Sequence, residues 1–330
     1  MRIRDVLPRD AIPSIDDPTF QTTYIGQADD CVLVIEETTP AKAYPLRILH
    51  YHEIVNDVID TPSGHVPVAI TWCPLCGSAV VYERRVAGRC LEFGVSGKLA
   101  DDDLVMYDRE TESEWKQSSG TCIGGALAGA TLTTRPGPIM SFERFREVHE
   151  AGLVLQPPGM PSEVASEDDT PAPVNYDVRP YRRYFERDGF GLDAHREQPS
   201  SRSWDRSDLS PKTVVLGIER GDTAVAIPEP WVRETGGCLH TAVDDTRIVV
   251  FAVDDELHAF ESGGIDIQPT DGAFSGDGTT WHGDTGRSAD GRKLDRVPAK
   301  RMFAFAWQDD HGEDAFISRR ELGTSRTTRS

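Results

Sequence analysis

Val66-Pro67-Val68-Ala69-Ile70-Thr71-Trp72 runs into Cys73-Pro74-Leu75-Cys76-Gly77 and then into Ala79-Val80-Val81-Tyr82-Glu83. β-Branched and aromatic residues crowd both flanks while proline and glycine fill the middle, so the stretch predicts a strand, a tight turn and a second strand. The two thiols sit at the turn.

Upstream, Cys31-Val32-Leu33-Val34-Ile35 predicts a strand and Ala41-Lys42-Ala43-Tyr44 a second, short one ended by Pro45. Pro45 suits the first turn of a helix, which Leu46, Ile48 and Leu49 carry to about Val55. Downstream, strands are expected at Cys90 to Val95 and at Leu104 to Asp108. Ser113 to Gln117 returns after the polar turn Arg109-Glu110-Thr111-Glu112.

At 330 residues the chain exceeds one ordinary domain of roughly 100–200 residues. From Gln156 to about Ser210 the composition shifts to Pro, Ser, Asp and Arg, and Pro157-Pro158, Pro171 and Pro173 interrupt regular structure. This predicts a connector, ordered in part around Tyr176, Tyr181, Tyr184 and Phe185.

Beyond the connector, Thr213 to Ile218 is similar to the strand after Cys31, and Ala224-Val225-Ala226-Ile227-Pro228 to the approach to Pro45. Ile248-Val249-Val250-Phe251 takes the place of the run before Cys73, and Val253-Asp254-Asp255-Glu256 stands where the cysteines would be. An internal duplication follows as an expectation. The expected class is α+β, predominantly β, with two related β-rich lobes: residues 1–155 carrying the Cys motif and a degenerate 211–330, joined by a Pro-rich connector over 156–210.

The formal net charge is -20, and the carboxylates are spread through the chain instead of gathering in one tail. Arginine is common while lysine is confined to Lys42, Lys98, Lys116, Lys212, Lys293 and Lys300. Hydrated carboxylates keep a surface wetted where salt screens their repulsion, so the balance suits a salt-rich cytoplasm. Such a surface repels phosphates, and no cluster of basic and aromatic residues offers a footprint for nucleic acid. No stretch approaches the ~20 apolar residues of a membrane span, and the start lacks an apolar signal region. A cytoplasmic protein without membrane or nucleic-acid partners is expected.

Of the cysteines Cys31, Cys73, Cys76, Cys90, Cys122 and Cys238, only Cys73 and Cys76 form a motif. A Cys-Pro-x-Cys-Gly turn has the shape of a metal knuckle, with two thiolates converging on one side. Four-coordinate zinc, or another transition metal, needs further donors, for which His50, His52, Cys90 and Cys122 are the candidates. His52 joins Cys73 and Cys76 in the expected ligand set. The zinc-protease spacing fails, because Asn56 stands where His-Glu-x-x-His needs its second histidine. Two other readings of the pair stay open: thiol–disulfide exchange, against which a following strand counts, and inert turn residues.

Asp108, Arg109, Trp115 and Gln117 gather on one hairpin, where alternation puts Ser113, Trp115 and Gln117 on a common face. They are the candidate lining of a polar pocket, the alternative being a hairpin held by an Arg–carboxylate pair. Gly94-Val95-Ser96-Gly97-Lys98-Leu99 lacks phosphate-loop spacing, so no nucleotide cofactor is expected. The acidic stretch from Asp271 to Asp290 lacks the alternation of a calcium loop.

Thr71-Trp72-Cys73-Pro74-Leu75-Cys76-Gly77-Ser78-Ala79, then Ser96-Gly97-Lys98-Leu99 and Leu104-Val105-Met106-Tyr107-Asp108-Arg109, resembles the family known as domain of unknown function 3179. Thr111, Ser113, Trp115 and Gln117, Ala43-Tyr44-Pro45 and His52-Glu53-Ile54-Val55-Asn56-Asp57 extend the resemblance, which covers about residues 30 to 135 specifically. It implies no activity, and it marks Cys73, Cys76, Asp108, Arg109 and Trp115 for testing. The stretch Ala100-Asp101-Asp102-Asp103 and the polar second lobe depart from it. The expected function is metal binding through the Cys turn, with a thiol–disulfide oxidoreductase or a non-catalytic scaffold as alternatives.

Overall fold

The apolar run and its partner fold as antiparallel strands, Gly64–Cys73 and Ser78–Glu83, with Cys73 opposite Ser78 across the turn. This computed structural model describes residues 1–166 and 170–319. On the other side of Gly64–Cys73 lies Ile54–Thr61, also antiparallel, so the knuckle closes the second link of a three-strand meander. Val68, Ile70 and Trp72 share one face and enter a core with Leu33, Tyr44 and Leu49. Burying each such side chain contributes about 1.5–3 kcal/mol. Alternation puts Thr71 and Cys73 on the opposite face, which is also buried.

Pro45 caps the helix Leu46–His52, whose Leu46, Ile48 and Leu49 pack on that core. The helix stops short of Val55. Glu53 bends the chain with φ 55° and ψ -32°, and Ile54 and Val55 then pair with Thr71 and Ile70. For these β-branched residues, sheet pairing wins over the continuation of a short helix.

A second, five-stranded antiparallel sheet runs in the order Ile3–Asp5, Phe93–Ala100, Asp103–Asp108, Glu114–Lys116 and Thr121–Gly124. The link between Phe93–Ala100 and Asp103–Asp108 is the two-residue turn Asp101-Asp102, with φ of 52° and 70°. Aspartate tolerates this left-handed conformation, which matches the twist of a hairpin. A third sheet orders Ile139–Ser141, Cys31–Ile35, Lys42–Pro45, Leu153–Leu155 and Phe20–Gln21.

The chain divides into two compact units, Met1–Asp205 and a second beginning at Arg206. The proline-rich stretch expected as a connector therefore falls almost wholly within the first unit. Its aromatic residues hold it there: Tyr184 Oη donates to Leu75 O at 2.5 Å, and short helices form at Arg182–Glu186 and Gly191–His195.

In the second unit, Val214–Arg220 pairs with Thr223–Pro228 and with Lys300–Phe303, both antiparallel. Pro228 caps the helix Glu229–Glu234, and the meander Cys238–Val243, Thr246–Val253, Glu256–Glu261 follows. Hairpin, proline-capped helix and meander succeed one another as they do from Cys31 to Glu83 in the first unit. Each unit also has a later strand returning antiparallel to the first strand of that hairpin and leading into a helix: Ile139–Ser141 into Phe142–Val148, and Lys300–Phe303 into Ala304–His311. Where the first unit has its cysteine knuckle, the second has a two-residue Asp254-Asp255 turn. The second unit has its own core around Phe251, Phe260 and Trp281.

Candidate metal centre and adjoining cavity

Gly77 supplies the φ of 56° that folds the knuckle, and its N–H donates to Pro74 O at 3.3 Å. Cys76 Sγ donates to the backbone carbonyl of Asp102 at 3.5 Å, which ties the knuckle to the aspartate hairpin turn. Asp102 is buried, pairs with Arg4 and Arg202, and accepts from Leu192 N. The next residue, Asp103, is also buried, and its Oδ2 accepts from Ser118 N at 2.8 Å.

One donor atom from each of Cys73, Cys76 and Asp103 lies within 4.8 Å of the other two. Both thiols are buried, and burial is the main cause holding their pKa values above the ordinary range, with the charge of Asp103 adding to it. A dication reverses that balance, because metal coordination deprotonates a thiol outright. Two sulfurs and one carboxylate could hold a borderline-soft ion such as zinc.

His52 is not part of this group, which corrects the expected ligand set. Its Nδ1 lies 3.0 Å from Pro13 O and its Nε2 2.7 Å from Tyr176 Oη. A carbonyl can only accept, so Nδ1 carries the proton and Nε2 accepts from the tyrosine, leaving neither nitrogen for a metal. The other candidates are also engaged elsewhere. Trp72 Nε1 donates to His50 Nδ1 at 3.1 Å, Cys122 Sγ donates to Gly124 O, and Cys90 is exposed in a separate hairpin. Asp103 takes the place given to the histidine.

The expected polar pocket resolves into two settings. Asp108 and Trp115 are brought together: the indole Nε1 donates to Asp108 Oδ2 at 2.9 Å, and Thr111 donates to the same carboxylate through its N–H and its hydroxyl. Gln117 donates to Thr71 Oγ1 at 2.8 Å and accepts from Ser78 Oγ, bridging the strands beside the knuckle. All three side chains are buried. Arg109 instead forms ion pairs with Asp10, Asp16 and Glu92. These four residues brace the hairpin, and none of them lines the cavity beside Cys73.

A cavity of about 200 Å³ does lie in the first unit, with Cys73 in its wall. Glu53, Glu163, Tyr181 and His195 also line it. Glu53 is 7% exposed, and its carboxyl makes no hydrogen bond or ion pair among the described residues. Burial, reinforced by the charges of Asp103 and Glu163, pushes its pKa up to about 8. Its backbone lies at φ 55°, a region that costs a non-glycine residue of order 1–3 kcal/mol. Tyr181 is likewise 7% exposed with an unbonded hydroxyl, and burial raises its pKa well above the ordinary value, as do the charges of Glu53, Cys73 and Glu163.

The family model described as "Protein of unknown function (DUF3179)" matches residues 9–314. The chain belongs to the DUF3179 family. No curated protein and no solved structure matches it. The family match takes in the knuckle, Asp103 and every cavity residue named above. In this DUF3179 protein the concentrated chemistry is thus a buried Cys-Cys-Asp group that shares Cys73 with a cavity holding an unpaired acid.

Among the described residues of the DUF3179 chain, no helix is long and apolar enough to cross a membrane.

Proposed function

We propose that this protein binds a transition-metal ion, zinc by the chemistry of the donors, through Cys73, Cys76 and Asp103. The observation that carries the proposal is the convergence of three donors from two separate hairpins within 4.8 Å in a buried setting. Zinc bonds thiolate sulfur at about 2.3 Å and carboxylate oxygen at about 2.0–2.2 Å, so small side-chain adjustments bring the three onto one ion. Three protein ligands leave one tetrahedral position for water or for a molecule from the cavity, as catalytic zinc sites do. The matching order of elements in the second unit, with an Asp254-Asp255 turn in place of the cysteine pair, supports reading the chain as two copies with the chemistry kept in the first.

Cobalt substitution tests the centre. Metal-free protein titrated with Co(II) is expected to show sulfur-to-cobalt charge transfer and tetrahedral d–d bands saturating at one equivalent, lost in Cys76→Ser. Octahedral cobalt without thiolate bands would refute it.

The proximity of the two sulfurs also supports a dithiol–disulfide couple. Buried thiols with raised pKa values make poor nucleophiles, so this reading ranks second. A reversible Cys73–Cys76 disulfide, found by mass spectrometry in protein that takes up no metal, would put it first. A non-catalytic scaffold would instead leave Cys76→Ser less stable with no metal to lose. With a net charge of -20 and its arginine-rich, lysine-poor balance, the chain is proposed to work in a salt-rich cytoplasm without nucleic-acid partners.

A further inference from the structure

Buried polar groups in folded proteins are almost always hydrogen-bonded, and an exception calls for a partner. Glu53 and Tyr181 line one cavity wall, each residue is more than nine-tenths buried, and neither side chain makes a hydrogen bond among the described residues, so their polar atoms are open to a ligand there. The fold holds Glu53 there at a backbone cost, which is common where a residue serves a ligand. The remainder of the wall includes the aliphatic side chains of Ile12, Leu99, Leu104 and Leu192.

Acidic neighbours surround the two unpartnered groups. Glu53 and Tyr181 both feel Glu163, Glu53 also feels Asp103, and Tyr181 also feels Cys73. Of the cationic residues on the wall, Lys98 is held by Glu114 at 2.6 Å and Arg196 is exposed. A carboxylate entering this wall would approach Asp103 and Glu163 and a Glu53 that burial holds protonated. An ammonium would meet oxygen acceptors for its N–H groups and would draw Glu53 into its carboxylate form.

Size sets the rest of the ligand. An apolar cavity of about 150 Å³ accepts benzene, so 200 Å³ accommodates a ring or short chain with one polar head. We infer that the cavity beside the knuckle binds a small organic amine as its ammonium ion, with the head on Glu53 and Tyr181 and an apolar body against Leu99, Leu104 and Leu192. The inference is drawn for the metal-free protein, in which Glu53 and Tyr181 are the groups that meet the ligand head.

Three matched probes test it: benzylamine, benzyl alcohol and benzoate, titrated calorimetrically into metal-free full-length protein. Benzylamine is expected to bind at least tenfold more tightly than the alcohol, with benzoate weakest. Glu53→Gln, close in shape, should erase the preference for amine over alcohol, and Leu99→Trp, which fills the cavity from its half-exposed side, should weaken both. Circular dichroism confirms that each variant folds. Benzoate binding as well as benzylamine, an amine preference surviving in Glu53→Gln, or no benzylamine binding to the wild type would each overturn the inference. Metal content, measured before the metal is removed, judges the metal centre separately.

Discussion

Cys76 Sγ donates to the main-chain carbonyl of Asp102, the residue immediately before the carboxylate that joins the two thiols. That contact couples two hairpins from different sheets, and Arg4 and Arg202 fix the turn from its outer side. The aspartate turn is thus the support of the centre, and it is itself built on buried charge.

Weakening that support has a measurable consequence. Asp102→Asn leaves Arg4 and Arg202 without their shared carboxylate and loosens the neighbour that carries Asp103. Residues that orient metal ligands typically contribute about 10–100-fold to affinity, and a loss in that range is expected here. Competition with a chromophoric chelator reads it, and unchanged affinity would mean the turn does not position the ligand.

Trp115→Phe removes the indole N–H that donates to the fully buried Asp108. The carboxylate keeps Thr111 but loses a charge-assisted partner, and a small void opens. The expected destabilisation is about 2–4 kcal/mol, from the lost hydrogen bond and packing together. Urea unfolding monitored by circular dichroism measures it, and a change below about 0.5 kcal/mol would contradict the bracing role.

His52 makes stability depend on acid. Burial lowers its pKa to about 4 in the folded protein, against an ordinary value of 6.5. The unfolded chain therefore takes up the proton first, so the contribution is complete above pH 6.5 and is lost as pH falls towards 4. That lowering corresponds to an upper bound of about 3 kcal/mol. His52→Gln should flatten the pH dependence of unfolding between pH 7 and 4.5, and an unchanged slope would contradict the buried neutral ring.

Glu53 acts in the opposite direction. Its folded pKa of about 8 lies above the ordinary 4.5, so stability is complete below 4.5 and is lost as pH rises through 8. Metal-free Glu53→Gln is expected to outlast the wild type in urea at pH 8.5 by an amount on the order of 2 kcal/mol, and to match it near pH 5. Equal stability at pH 8.5 would place the carboxyl in a solvated setting.

Much of the fold is legible in residue patterns, because alternation through Val68, Ile70 and Trp72 and the turn chemistry of Pro74 and Gly77 are local signals. Pro45 likewise marks where its helix begins. The helix end is not local: Glu53 stops it in a conformation that pairing of Ile54 and Val55 with the next strand imposes. The thiols of the centre are visible as a motif, whereas Asp103 reaches them only through the packing of a second hairpin. His52 has the right donor type, and only the folded chain reveals that Pro13 and Tyr176 already occupy its ring. The run Asp101-Asp102-Asp103 did carry a usable signal, since two residues suited to a left-handed turn announce a hairpin that presents the third.

The most direct test is the metal content of purified full-length protein by elemental analysis, alongside Cys76→Ser and Asp103→Ala. One equivalent of a transition metal in the wild type, absent from Cys76→Ser and reduced in Asp103→Ala, is the expected result. No stoichiometric metal in the wild type, or undiminished metal in Cys76→Ser, would contradict the proposed centre.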